Sequence, residues 1–287
     1  MPSLIDLRRR IRSVKSTQQV TKAMKMVSAA KLRRAQDRVI AARPYAAMFR
    51  QVLGDLAGAV AGDETAEGHP LLARRPEQRV LLVLVTSDRG LAGAFNTNLI
   101  KASQQFIREH ASAAVHMDLL GRKGRDFWRK RGATVLAERT GISEKPTYAD
   151  AVAVAQEIGG AFERNEVDAV YLLCNEFKSI LSQKVTLARV LPVELPAAGS
   201  GGYYIYEQPP AELLGSLLPR YVEISVYQAM LESAAAELAA RMTAMDAATS
   251  NAGEMIDKLT LHMNRVRQSS ITNQLIEVVS GATAAQE

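Results

Sequence analysis

Cysteine is nearly absent from this chain of 287 residues. The single Cys174 excludes an internal disulfide and a cysteine-rich zinc site, and its apolar surroundings predict a buried small side chain. The four histidines, His69, His110, His116 and His262, are scattered without the spacing of metal ligands. Aromatic residues make up only 5%, which suits long Ala/Leu/Met helices better than a β-sandwich. No uninterrupted apolar run approaches the ~18 residues of a membrane-spanning helix. The charged N-terminus is not followed by the apolar core or cleavage site of a signal peptide. No proline follows Pro219. Acidic residues are scarce at the start: in residues 1–50, thirteen Lys and Arg meet only Asp6 and Asp37. That segment therefore carries +11 of a total of +6, and the remaining 237 residues sum to −5. So one-sided a charge predicts an acidic partner, because few local carboxylates relieve the self-repulsion.

The proline-poor last third is a long helix with a heptad seam. From Leu214 a 3,4 spacing runs through Leu217, Tyr221, Ile224, Gln228, Leu231, Ala235, Leu238, Met242, Met245, Thr249, Ala252, Ile256, Leu259, Met263 and Val266, and only Gln228 and Thr249 are polar. A seam kept so long predicts a supercoiled helix pair. Beyond it, Ile271, Leu275, Ile276, Val278 and Val279 form an apolar tail that needs a socket from outside the chain.

Residues 1–60 read as the partner helix. Leu4, Leu7, Ile11 and Val14 open a seam that meets Gln18, Thr21, Lys25 and Ser28 and recovers at Leu32 and Val39. Val20, Met24 and Val27 carry apolar character in a shifted phase, which predicts a local stutter. Pro44 predicts a kink or a loosened turn. Running antiparallel with Ser3 level with Val266, the pair would leave about twenty residues projecting unpaired. Such a short helix is marginal in water unless another chain holds it.

Residues 75–208 differ. Strands are expected at 80–86, 115–120, 134–138, 167–174, 184–190 and 203–206, and helices at about 95–109, 124–131 and 148–164. This alternation predicts an α/β domain with a mostly parallel, Rossmann-like sheet. The expected architecture is an α/β domain inserted between two long terminal helices that form an antiparallel coiled coil, with boundaries at 1–60, 75–208 and 209–287. Ser87-Asp88-Arg89-Gly90-Leu91-Ala92-Gly93 lies where α/β folds bind phosphate, but it lacks both the dinucleotide fingerprint and the P-loop lysine. Gly121-Arg122-Lys123-Gly124-Arg125 is a second basic, glycine-containing turn. Neither supports a catalytic site, and no catalytic, cofactor-binding or metal-binding residue is expected.

Four segments carry a resemblance. They are Thr21-Lys22-Ala23-Met24-Lys25-Met26-Val27, Ser87 to Gly93 with Asn96, Arg241-Met242-Thr243-Ala244-Met245 with Asn251, and Arg267-Gln268-Ser269-Ser270-Ile271-Thr272 through Glu277 to Ala282. Together they resemble the gamma-subunit family of F-type ATP synthases over essentially the whole chain. Gln274 departs from the family's usual glutamate. No cysteine-bearing insertion is present, so the thiol switch of chloroplast members is not expected.

The resemblance implies the central rotor shaft of a proton- or sodium-translocating synthase, in one copy per complex and without an active site. Its partners would be three alpha and three beta subunits, an epsilon subunit and the membrane ring of c subunits, at the cytoplasmic face of a bacterial inner membrane. Met24, Arg241, Arg267, Gln268 and Thr272 would meet beta subunits. Ile271, Leu275, Ile276, Val278 and Val279 would turn in an apolar sleeve, and Tyr204, Tyr206 and Glu207 would touch the c-ring and epsilon.

A basic coiled-coil arm that binds nucleic acid is the rival reading. It is disfavoured because the most basic stretch has no aromatics for base stacking before Tyr45 and Phe49. A small α/β enzyme with helical dimerisation arms lacks a catalytic constellation.

Overall fold

A computed structural model describes residues 3–60, 68–195 and 206–284, with the side chains of 277 and 281–284 outside that description. The chain divides into two compact units, Met1–Ser28 with Met242–Glu287, and Ala29–Arg241. Two helices contribute to both: α1 (Leu4–Ala59) and, at the other end of the chain, α5 (Pro210–Ala284). The described residues between them form β1 (Arg79–Val85), α2 (Phe95–Glu109), β2 (Ala114–Leu120), α3 (Arg122–Arg129), β3 (Thr134–Arg139), α4 (Tyr148–Glu163), β4 (Ala169–Phe177) and β5 (Gln183–Leu191).

In the larger unit the strand order is β3-β2-β1-β4-β5. The pairs among β3, β2, β1 and β4 are parallel, and β5 pairs antiparallel with β4 as a hairpin. Six of the seven residues of β1 are buried, as a central strand covered on both faces requires. α4 begins at a capping box in which the Thr147 hydroxyl accepts from the Asp150 amide and the Asp150 carboxylate accepts from the Thr147 amide. Of the last expected strand, 203–205 lie outside the described residues, and Tyr206 stands in no strand.

One sheet face packs against α4 and against the near parts of α1 and α5. Leu53 and Leu56 of α1 and Leu218, Val222 and Val226 of α5 join the core with Leu81, Val83 and Leu172. Leu218, Val222 and Val226 fall outside the heptad series. α5 thus uses two faces here, one for α1 and one for the sheet, and from Ala229 to Arg241 it is buried all round. Periodicity at 3,4 spacing reads only the first face. Pro44 leaves the helical assignment of α1 unbroken. Its ring is exposed, so the carbonyl that loses its amide partner lies on the side where water can serve it.

In the smaller unit, α1 and α5 pair antiparallel. Lys25 reaches Asp246 at 2.6 Å, the Thr21 and Thr249 hydroxyls are 2.8 Å apart, and Gln18 donates to the Thr249 carbonyl at 3.4 Å. The expected stutter does not occur. Thr21 and Ser28 are buried (9% and 3% exposed), whereas Val20 and Val27 are more than half exposed. The seam keeps its register and runs through polar residues. Hydrogen bonding across the pair compensates for the lost apolar burial, so the apolar phase is an outer surface instead of the interface.

Candidate functional site

The loop after β1 is closed by its own side chains. The Asn96 side chain accepts from the Ser87 amide at 3.0 Å, and the Ser87 hydroxyl is 2.6 Å from the Arg89 carbonyl. Asp88 accepts from the Ser143 hydroxyl at 2.7 Å and from the Arg122 amide, the first of α3, at 3.1 Å. Burial works to raise the Asp88 pKa, but hydrogen bonds from Gly141, Ser143 and Arg122 outweigh it and hold it low. The carboxylate therefore occupies the helix N-terminus that an anionic ligand would need. Gly121, the residue before α3, has φ of 99°, and a Cβ there would stand 2.2 Å from the Thr86 carbonyl oxygen, so glycine is required by close approach. Both glycine-containing turns thus have structural explanations.

Within the larger unit the same loop meets α5 directly, and α1 through Glu144 of the segment after β3. Glu144 bonds Lys31 of α1 and lies 3.8 Å from Arg89. The Lys31 hydrogen bond, working against partial burial, holds the Glu144 pKa low. Arg241 of α5 is only 6% exposed. It pairs with Glu237, one turn earlier, and directs two guanidinium nitrogens at the Gly90 carbonyl, 3.3 and 3.4 Å away. Burial raises the Glu237 pKa, and Arg241 opposes the shift.

The other expected contact residues lie on different surfaces. Met24 is half-buried on α1, and Met26, Val20 and Val27 on the same helix are exposed. Arg267, Gln268 and Thr272 are exposed on α5, as is Gln274. Ile271, Leu275, Ile276, Val278 and Val279 are 49–70% exposed, in contrast to Met245 and Ala252 earlier in the same helix, which are buried. Glu207 is exposed, and Tyr206 is half-buried against the core of the larger unit. Tyr204 lies outside the described residues.

Among the described residues no group of three or more His, Cys, Asp or Glu could hold a metal ion, and no helix is long and apolar enough to cross a membrane. The His69 ring accepts from the Leu71 amide, and His110 stacks on Phe106 at 4.1 Å. Cys174 is buried, and burial pushes its thiol up to about 12. Such a thiol is not a nucleophile at neutral pH.

A family profile described as ATP synthase matches residues 3–285. The ATP synthase gamma chain of Solibacter usitatus is 64% identical over 286 residues, with all of both chains covered. The chain belongs to the ATP synthase gamma-chain family. Its fold agrees with solved members of that assembly. A chain of the Euglena gracilis mitochondrial ATP synthase, from the OSCP/F1/c-ring part in rotational state 3, superposes with a TM-score of 0.67 at 19% identity, covering 98% of this chain and 94% of that one. A chain from the central stalk/c-ring structure of the Tetrahymena thermophila enzyme gives 0.59 at 23%, covering 80% and 99%. The fold is the family's: an α/β sheet between two long terminal helices.

Sequence reasoning missed Glu232 and Glu237, which are buried charges in an alanine-rich stretch. The available signal was acidic residues on a helix segment with too few polar positions to form a solvated face.

Proposed function

We propose that this gamma chain is the central rotor shaft of an F-type ATP synthase and couples rotation of a membrane c-ring to ATP synthesis and hydrolysis on beta subunits. The observation that carries the reading is the apolar end of α5, exposed on a helix whose earlier turns are buried in a pair. Family membership supplies the partner: the tail turns in an apolar sleeve made by three alpha and three beta subunits. The shaft is present once per complex and owns no active site. It works at the cytoplasmic face of a bacterial inner membrane, held there through the complex. Tyr204, Tyr206 and Glu207 face the c-ring and epsilon.

The mechanism is differential affinity. A shaft without threefold symmetry shows each beta subunit a different face, so each is biased toward a different conformation, and turning the shaft exchanges those biases. Met24, Arg267, Gln268 and Thr272 lie on the contacting surface. Arg241 bears on it through the Gly90 loop that it braces. The basic start of α1 attracts acidic partner loops at long range without fixed dry ion pairs, which suits a surface that must slide.

Rotation tests the reading. With the ring of catalytic subunits fixed to a surface, a probe on the α/β domain should turn stepwise and in one direction on addition of ATP. A probe that stays still while the complex hydrolyses ATP would sink the proposal. Copurification with nucleic acid, and not with nucleotide-binding subunits, would favour the rival reading.

A further inference from the structure

The segment of α5 from Ser233 to Ala236 is a poor grip. Ala234, Ala235 and Ala236 are buried, and short side chains give a smooth turn with little interdigitation to oppose rotation about the helix axis. Two charged clusters, each with a buried carboxylate, flank it. At its start, Glu232 (5% exposed) accepts from the Phe177 amide at 2.9 Å and pairs with Arg43 at 3.1 Å, while Arg43 donates to the Phe177 carbonyl at 3.1 Å. At its end, the Glu237–Arg241 pair holds the Gly90 carbonyl. Phe177 is the last residue of β4, and Gly90 follows β1. β1 and β4 are the neighbours between which the strand order reverses, so both clusters sit at the crevice where open α/β sheets usually place a ligand.

Buried charges are costly and seldom add stability over apolar side chains of similar shape. Their best-attested use is to fix register. We infer that Glu232 with Arg43 and Glu237 with Arg241 are paired register locks, by which the ligand crevice of the sheet grips α5 and carries torque between helix and α/β domain. These are positioning residues, with directional bonds to backbone groups that cannot swing away. This role rests on the rotor reading, since without rotation there is no load to bear.

The test uses the assembled synthase with Glu232→Met, Glu237→Gln and the two combined. The angular spread of a probe on the α/β domain, measured during pauses of the turning shaft, reports torsional compliance. The combined variant should show a clearly broader spread than either single one, with ATP hydrolysis without load unchanged. Exchange of the Phe177 amide in the Glu232→Met chain should quicken by about tenfold or more, as expected for losing a charged acceptor. A spread equal to the parent's in a complex whose Phe177 exchange has risen would overturn the inference, as would unchanged exchange. A parent complex that hydrolyses ATP with its probe still would instead bring down the rotor reading, and the load-bearing role with it. If the combined chain does not assemble, Arg43→Met removes one partner of the first lock from a half-exposed position, and the same comparison of spread decides.

Discussion

Asp118 shows how a single side chain can set a pH dependence without joining any site. It lies on β2, almost fully buried, and neither carboxylate oxygen has a hydrogen-bond partner. Arg139 of β3 stands 3.5 Å away and also bonds Glu157 of α4. Burial raises the Asp118 pKa to about 6, Arg139 opposes this, and Glu157 adds to it. The folded value exceeds the unfolded one, so the folded state holds the extra proton. The associated stability is fully present below about pH 4 and is lost as pH rises through about 6, an effect of at most about 3 kcal/mol. Asp118→Asn should therefore raise the melting temperature at pH 8 and leave it little changed at pH 4. Equal shifts at both pH values would contradict this account. Met24 makes a second residue-scale case. A lysine there would add a charge beside the Lys25–Asp246 pair on the surface proposed to slide, so Met24→Lys should lower the ATP made per ion translocated, with hydrolysis largely kept. Normal coupling in vesicles carrying that variant would count against the sliding surface.

For whole elements, the helix pair of the smaller unit and the end of α5 behave oppositely. The Thr21–Thr249 contact is a polar layer in an apolar seam, and replacing both partners with valine removes the need for it. Thr21→Val with Thr249→Val should melt no lower than the parent, because an isosteric apolar pair is neutral or stabilising. Its expected cost is register: disulfide trapping between α1 and α5 should detect slipped pairings in that variant and none in the parent. In the tail, Leu275→Ser with Ile276→Ser should leave the melting of the isolated chain unchanged, since both side chains are already exposed. The same change should weaken assembly with alpha and beta subunits, by roughly 1.5–3 kcal/mol per buried side chain if a sleeve covers both fully. Unaltered affinity would argue that no sleeve does.

β1 to β5 and the crossover helices were legible to within a few residues, because β1 and β4 are apolar runs of strand length. The heptads of α5 were legible too, since period alone marks a pairing face. The stutter at Val20 and Val27 was misread because hydrophobicity was taken as burial. In the structure Thr21 faces inward with Thr249 as its partner, Ser28 is buried, and the valines are left outside. The second face of α5, with Leu218, Val222 and Val226, was obscured because a helix buried all round has no contrasting polar face.

At the scale of the whole molecule, charge is the property that acts over distance. The excess of +11 in the first fifty residues belongs to α1, and its arginines at 8, 10 and 12 are exposed. Raising ionic strength from about 0.05 to 0.5 M shortens the Debye length severalfold, so if α1 is steered to an acidic partner as proposed, association should slow by on the order of tenfold or more. Dissociation should change far less. Stopped-flow mixing of this chain with its ring of partner subunits separates the two rates, and a salt-independent association would show that the basic helix steers nothing.

Composition and periodicity by themselves determined the order of elements, the length of the terminal helices and the apolar tail, because each depends on residue type and local spacing; the family came from the resemblance that four particular segments carry. The tertiary structure decided which polar residues enter the interior. It turned Thr21 and Ser28 inward, closed the loop after β1 over Asp88, and drew Glu232, Glu237 and Arg241 into the crevice of the sheet. Those outcomes depend on partners from 34 to 228 residues away, and no local pattern in a chain encodes where such a partner will stand.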